Sequence, residues 1–450
     1  MLWIYENIKL LGEKECIKDS FGVFSYLDLA QKIEENSKIV KDFVYPGEIV
    51  AIHADYNFYS IAMFFALIQH KCIIVPIVSQ NKKEVEGRIR IANCSSVVKF
   101  NGKNASFQKV EAKQAHAQHD LVTTLVSDRV SGLILFSSGS TGEPKAMIHN
   151  LDRLINTFEG KRHKNLNMLV FLMFDHIGGL NTLFNTLSIG ATIILPENRS
   201  PEYIGSLIAK HKINVLPATP TFLNMLLLAD SSSELDLSSL KMITYGTEPM
   251  PESLLLKLKE RFPKTRLMQT FGTSETGIVQ ASSRSSGSLE MKLNDPNIEY
   301  KIVDNELWLK SKTQIMGYLN TTMESFTEDG WFKTGDMVET SKDGHIKIIG
   351  RLKEVINVGG EKVLPAEVES IVMELDFVGD CTAFGQQNAL TGQMVAVDIL
   401  LTEDMSEKDA KKAIRSHCKS KLDNFKVPAK FRFVDSTNAS ERFKKIRLKK

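Results

Sequence analysis

Cysteine is scarce in these 450 residues: there are five, Cys16, Cys72, Cys94, Cys381 and Cys418, odd in number and nowhere spaced Cys-x-x-Cys. That argues against a disulfide framework or a thiolate metal site and for free thiols in a reducing compartment. Charge of one sign is lacking too, at a net +2, so nothing global points to nucleic acid or an acidic membrane as partner. Long apolar runs are absent. The greasiest region, Ile61 to Val78, is broken by Gln69, His70 and Lys71 and reads as a buried helix followed by a strand, not a membrane span. The opening Met1-Leu2-Trp3-Ile4-Tyr5-Glu6 lacks the basic start and small-residue cleavage site of a secretion signal, so a cytoplasmic location is expected. There is no low-complexity tract and no internal repeat.

What is present is alternation. Ser25 is placed to cap a helix beginning at Tyr26, with Asp28 in its first turn. Val50 to Ile52 and Cys72 to Ile77 read as strands around a helix from Ser60 to Gln69, the signature of a βαβ unit. The pattern recurs as strand Asn167 to Phe174, helix Leu180 to Leu187, strand Thr192 to Leu195, helix Tyr203 to Lys210 and strand Val215 to Leu216. Gly287 to Met316 reads as short antiparallel strands, and Gly344 to Arg351 as a strand closing a large domain. The remainder reads as a small α+β module with helices near Pro365 to Glu374 and Ser406 to Lys421. The expected class is α/β in two domains, 1–352 and 353–450, since 450 residues exceed one compact core of usual size.

The most informative stretch is Leu135-Phe136-Ser137-Ser138-Gly139-Ser140-Thr141-Gly142-Glu143-Pro144-Lys145. It leaves a buried strand, Ser131 to Phe136, at the end where open α/β sheets place ligands. Glycines let backbone N–H groups approach phosphate oxygens, hydroxyls add donors, and Lys145 adds charge. Taken alone, it is equally a flexible Ser/Gly loop. It lacks the Gly-x-x-x-x-Gly-Lys-Ser/Thr spacing of a P-loop NTPase.

This segment resembles the phosphate-binding motif of the adenylate-forming superfamily: acyl-CoA synthetases, luciferases and peptide-synthetase adenylation domains. Three further motifs follow in the family's order. Gln269 to Gly277, with Phe271-Gly272-Thr273-Ser274-Glu275, resembles its aromatic-Gly-x-Ser/Thr-Glu motif. Trp331 to Asp336 resembles its Thr-Gly-Asp motif, and Gly350 to Glu369 its hinge and following loop. The chain is most similar to acyl-CoA synthetases, including fatty-acid ligases. The resemblance implies a large N-terminal domain of βαβ subdomains with a small distorted β-barrel, and a small mobile C-terminal domain. The chain is short for the family, which implies trimmed loops and a complete core.

The resemblance also implies roles. Ser137, Ser138, Gly139, Ser140, Thr141, Gly142 and Lys145 would cradle the ATP phosphates, and Glu275 would hold Mg²⁺. Phe271 would stack on adenine beside Thr270, Gly272 and Thr273, while Gly246, Thr247 and Glu248 would line the adenine and acyl pockets. Asp336 would accept the ribose hydroxyls, with Arg351 as a second contact. His176 would bind the reacting carboxylate or gate the acyl tunnel; a core or turn histidine is the plain alternative. Asp175 has a counterpart in amino-acid-activating relatives that pairs a substrate ammonium, but the spacing to Gly190-Ala191-Thr192 aligns His176 with the acyl-CoA synthetases. The acyl pocket would lie around Phe174 to Leu180, Thr219 to Leu223, Tyr245 to Glu248 and Gly277 to Gln280. Lys353 would be the hinge, and Val358, Gly359 and Gly360 would swing in with the pantetheine thiol.

The match departs from the pattern at the end. Where the family has Gly-Lys-x-x-Arg, this chain has Phe443-Lys444-Lys445-Ile446-Arg447. Lys444 takes the catalytic position, Lys445 is the alternative, and a solvated basic tail is the plain reading. The activity implied is ATP-dependent conversion of a carboxylic acid to acyl-AMP with pyrophosphate release. The acyl group then passes to a pantetheine thiol, on CoA or on an acyl carrier protein. An amino-acid adenylating enzyme, or a degenerate nucleotide-binding protein that lost catalysis with the glycine, are the other readings. Oligomeric state is not legible.

Overall fold

The computed structural model describes residues 3–110, 119–137, 143–233 and 235–447, the side chains of 231–233 excepted. Two seven-stranded sheets form the bulk of the large domain. One runs Arg266–Gln269, Met242–Tyr245, Val215–Ala218, Asn167–Leu169, Thr192–Ile194, Glu15–Asp19, Gly22–Ser25, parallel throughout except for its last, antiparallel edge. The other runs Gly317–Tyr318, Lys145–Asn150, Gly132–Ser137, Ile73–Ile77, Ile49–His53, Ser96–Asn101, Asn104–Lys109, with its four central strands parallel.

Between the two sheets lie the helices Tyr26–Phe43, Phe58–Gln69 and Ile177–Ser188, sharing one core with strand residues of both. Phe58–Gln69 is apolar on every side because it has a sheet on each side: all its residues but Gln69 are buried, as a helix without a solvent face must be. Ser25 caps Tyr26–Phe43 through a reciprocal pair with Asp28, as the sequence predicts. Among the described residues no helix is long and apolar enough to cross a membrane.

One expected strand is cut short. Asn167 to Phe174 is ladder only at Asn167–Leu169. Beyond Val170, whose N–H still reaches the Ile194 carbonyl at 3.0 Å, side chains replace the sheet as partners: Arg199 Nε donates to the Phe171 carbonyl at 2.6 Å, and Asp55 accepts from the Phe174 N–H at 3.2 Å. The freed loop turns His176 into the N-cap of Ile177–Ser188.

The layer expected as a small barrel is a six-stranded antiparallel sheet with its own core, ordered Ala281–Ser283, Glu290–Leu293, Ile346–Arg351, Phe332–Thr340, Glu306–Ser311, Ile298–Val303. A 3₁₀ turn, Leu352–Glu354, leads from Ile346–Arg351 into the last unit. There the strands Glu361–Val363, Ile356–Val358, Gly392–Leu401 and Val378–Asn388 form a sheet with Lys430–Phe433, covered by the helices Pro365–Val372 and Glu407–Lys421.

Candidate functional site

The phosphate-loop segment begins and ends on two antiparallel neighbours, Gly132–Ser137 and Lys145–Asn150, whose last rung pairs Ser137 with Lys145. Ser138, Gly139, Ser140, Thr141 and Gly142 lie outside the described residues. Lys145 extends over the ring of Tyr318, its Nζ 5.6 Å from the centroid. The Tyr318 hydroxyl donates to Glu275 Oε1 at 3.2 Å. Tyr318 therefore joins the lysine of the first motif to the glutamate of the second, a link invisible in sequence because Gly317–Tyr318 reaches the sheet edge from a distant loop. Burial, reinforced by the Glu275 charge, pushes the Tyr318 phenol far above its ordinary range, so it stays a donor.

Around Glu275 several predicted contact residues are occupied locally. Phe271, expected to stack on adenine, is buried and packs with the core of the six-stranded sheet. Gly272 is needed by its own hairpin: a Cβ there would lie 2.6 Å from the Gly277 carbonyl. The Thr273 hydroxyl meets that of Thr276 at 2.9 Å and accepts the Thr276 N–H. Thr270 donates through N–H and hydroxyl to the Tyr245 carbonyl. This brings its backbone so close to Gly246 that a Cβ would sit 2.5 Å from the Thr270 carbonyl.

Thr247 has φ +73° and a buried hydroxyl with no partner among the described residues, an orphan of the kind a ligand satisfies. Glu248, expected to line the same pocket, is engaged elsewhere. Its carboxylate accepts the N–H of Thr221 at 2.8 Å and of Lys445 at 3.2 Å, tying two chain segments together.

Asp336 and Arg351 are cross-strand partners in the antiparallel pair Phe332–Thr340 and Ile346–Arg351. Arg351 Nε lies 2.9 Å from Asp336 Oδ1. Asp336 is buried, and desolvation raises its carboxyl above the usual range although Arg351 opposes the shift. One carboxylate oxygen is thus pre-oriented and the other has no partner among the described residues, a geometry suited to a hydroxyl donor.

His176 is buried, and its Nδ1 accepts the Gly178 N–H at 3.0 Å. Burial first, then the charges of Lys444 and Arg442, hold the imidazole well below its ordinary range. The ring is therefore neutral with its proton on Nε2, leaving one donor for the site. Asp175 is not free for a substrate ammonium: Oδ2 receives Arg88 Nη1 at 2.7 Å and Arg442 Nη2 at 3.1 Å.

The tail is not solvated. Lys444 sits within electrostatic reach of Arg351, Glu248, Arg442, Asp336 and His176, with no ion-pair or hydrogen-bond partner for its ammonium among the described residues. Desolvation, then Arg351, lowers it to about 8. Lys445, the alternative, faces the other way. It lies 3.1 Å from Asp380 and 3.6 Å from Glu369, and Arg447 reaches Glu369 at 2.8 Å and Glu354 at 3.1 Å. Glu369 was in the quoted hinge motif, yet nothing in the sequence marked it as the buried centre of this cluster.

Phe443, where the family has glycine, keeps the left-handed backbone that glycine favours, at φ +52°. The cost of that conformation for an L-residue, about 1–2 kcal/mol, is offset by packing its ring 5.2 Å from both Phe171 and Phe222.

Lys353 lies exposed in the 3₁₀ turn. Gly359 and Gly360, after Val358, form a two-residue hairpin loop with φ of +62° and +96°, as a type I′ turn requires. The loop is exposed, and no atom lies within 4 Å of a Cβ built at Gly360. The structure thus gathers Lys145, Glu275, Asp336, Arg351, His176 and Lys444 about one region and leaves the glycine hairpin in solvent.

Comparison with known proteins places the chain in a family. The AMP-binding enzyme profile matches residues 5–319 and the AMP-binding enzyme C-terminal domain profile residues 367–444. Acyl-CoA synthetase 7 of Caenorhabditis elegans is 30% identical over 66% of this chain and 61% of its own length, so the match spans less than two thirds of that relative. A 2-succinylbenzoate–CoA ligase of Bacillus subtilis is 26% identical over 82% of this chain and 76% of its own. An anthranilate CoA ligase crystallised with anthranoyl-AMP superposes with a TM-score of 0.83 at 19% identity, covering 98% of this chain and 94% of that one. With its profiles covering most of the sequence in the right order, the chain belongs to the AMP-binding enzyme family.

Proposed function

We propose that the protein is an AMP-forming acid–thiol ligase: a carboxylic acid and ATP give acyl-AMP and pyrophosphate, and a pantetheine thiol, that of CoA, then takes the acyl group and releases AMP. The observation that carries this reading is Lys444, a desolvated ammonium with no partner among the described residues, beside Asp336, Arg351 and neutral His176. Holding a carboxylate against a triphosphate brings like charges together, and a fixed cation in a low-dielectric site offsets that where charge develops. The CoA ligases among its relatives support the same chemistry.

Each residue then has a task. Lys145, with Ser137 and the loop between them, binds the phosphates; Asp336 holds the ribose hydroxyls with Arg351 beside it; the His176 Nε2–H donates to the substrate carboxylate. Thr247 offers its orphan hydroxyl to the nucleotide or acyl group. Glu275 fits Mg²⁺, which takes one or two carboxylates and completes its shell with phosphate oxygens and water. Its carboxylate is partly exposed, with the Tyr318 hydroxyl on Oε1 as its one side-chain partner among the described residues and Lys145 near by on Tyr318. When bound, Mg²⁺ would screen the phosphate charge. Lys353 is the hinge between domains 1–352 and 353–450. Rotation there would withdraw Lys444 and bring Val358, Gly359 and Gly360 to the acyl-AMP, so that two half-reactions share one site.

The test is pyrophosphate release with a panel of short, medium and long fatty acids, aromatic acids and amino acids, with and without CoA. Release with a fatty or aromatic acid and thioester formation on adding CoA is the expected result. No release with any acid rejects the reading, and thioester formation only on a carrier protein moves the acceptor to protein-bound phosphopantetheine.

A further inference from the structure

The carboxylate of Asp175 is buried, and its Oδ1 has no partner among the described residues. Its compensation comes through Oδ2 from two guanidinium groups of different origin. Arg88 belongs to the helix Lys82–Ile91 of the same domain and is braced by Glu84. Arg442 arrives from the tail, 267 positions further along the chain. Arg88 is shared between Asp175 and Glu84, so one guanidinium of the large domain faces two carboxylates, and Arg442 brings the second positive charge from the tail.

Arg442 is two residues ahead of Lys444. The residues around Lys444 are each held by a different element of the large domain. Arg442 binds Asp175, the Phe443 carbonyl accepts the Thr219 hydroxyl at 2.6 Å, the Phe443 ring lies between Phe171 and Phe222, and the Lys445 N–H reaches Glu248. Only the Lys444 ammonium is left without a partner among the described residues. A cation pushed toward Arg351 is repelled, so its position must be maintained by neighbours that are themselves anchored.

We propose that Asp175 is the docking carboxylate of the tail, and that the Asp175–Arg442 pair positions Lys444 for the adenylation half-reaction alone. This rests on the ligase reading above. Asp175 and Arg442 are positioning residues, and an ammonium-bearing substrate would have to displace Arg442 to reach Asp175.

The test uses the full-length protein with Arg442→Gln, Arg442→Lys, Asp175→Asn and the Arg442→Gln/Asp175→Asn double variant. Acyl-AMP formation and thioester formation from supplied acyl-AMP are measured separately, with amide hydrogen exchange over residues 438–446 in the unliganded protein. Losing a charge-assisted contact predicts that Arg442→Gln slows acyl-AMP formation by about tenfold or more. Thioester formation should be unchanged, Arg442→Lys should recover most of the rate, and Asp175→Asn should add little in the Arg442→Gln background. Exchange in the tail should rise in Arg442→Gln. Unchanged acyl-AMP formation, parallel loss of both half-reactions, independent effects in the double variant, or unchanged tail exchange overturns the proposal. Because Asp175→Asn takes the buried carboxylate away from Arg88, leaving it Glu84 alone, and threatens folding, the Arg442 variants decide by themselves. If the unaltered protein releases no pyrophosphate with any acid, the ligase reading fails while tail exchange still judges the docking pair.

Discussion

Lys444 and Lys445 share a stretch of backbone and a formal charge, yet their side chains leave it in opposite directions. Lys444 enters the large domain, where it is desolvated, unpaired among the described residues and lowered to about 8. Lys445 enters the small domain, where burial is outweighed by Asp380 and Glu369 and its ammonium is held above the ordinary range. Glu369 in turn, despite burial, is kept below the usual carboxylate range by Lys445 and Arg447. The difference separates two uses of one residue type. A paired buried charge maintains a fold, whereas an unpaired one stores an unsatisfied interaction for whatever anion arrives.

The widest separation should come from truncating each lysine. Lys445→Ala leaves Asp380 without its cation and Glu369 with Arg447 alone, and should cost about 3–5 kcal/mol of stability, read as a lower denaturation midpoint. Lys444→Ala should leave that midpoint unchanged or raised. It should slow acyl-AMP formation by roughly two to three decades, about 3–4 kcal/mol, and spare thioester formation from supplied acyl-AMP. If the two variants exchange phenotypes, the assignment of roles is reversed.

Next in size is Asp336→Asn, which removes the carboxylate next to Arg351 and near Lys444. A lost charged contact to the ribose should raise the KM for ATP by a factor equivalent to about 1.5–3 kcal/mol. A change confined to the KM of the carboxylic acid would move Asp336 away from the nucleotide.

The pH dependence sharpens the contrast further. The kcat/KM of acyl-AMP formation, which reports the free enzyme, should fall above about pH 8 as Lys444 loses its proton. Stability should move the other way in that window. The folded value lies below the ordinary 10.5, so the unfolded chain binds more protons between the two values, and this lysine lets stability rise with pH there. Lys445, shifted upward, stays charged throughout. An alkaline limb near the ordinary lysine value would mean that Lys444 is solvated.

Phe443→Gly should have the smallest effect. It relieves about 1–2 kcal/mol of left-handed strain but gives up part of the about 1.5–3 kcal/mol of a buried ring. The net should be a few-fold slower acyl-AMP formation. Acceleration would show that strain outweighs the aromatic contact.

Much of the fold was legible because it depends on local pattern. The capped helix at Tyr26, the βαβ alternation and the hinge-and-loop motif follow from periodicity and short motifs that each occupy one continuous stretch. The strand expected to reach Phe174 failed because its later partners, Arg199 and Asp55, are side chains from elsewhere in the chain. The contacts that Glu248 and Phe271 make were not legible for a related reason: a residue type and a motif position say what a side chain could contact, while the packing around it decides what it does contact. Tyr318, Arg442 and Glu369 carried no local signal at all.

By itself, then, the sequence determined the family, the order of the motifs and the candidate chemistry, because glycines, hydroxyls and carboxylates at fixed spacing within one segment carry that information along the chain. Only the tertiary structure decided which of two adjacent lysines faces the site and that Phe443 takes the left-handed backbone that glycine favours. It also decided that Asp175 is taken by Arg88 and Arg442. Each of these turns on charges and rings separated by tens to hundreds of residues, whose energies depend on burial and distance, quantities that exist only once the chain has folded.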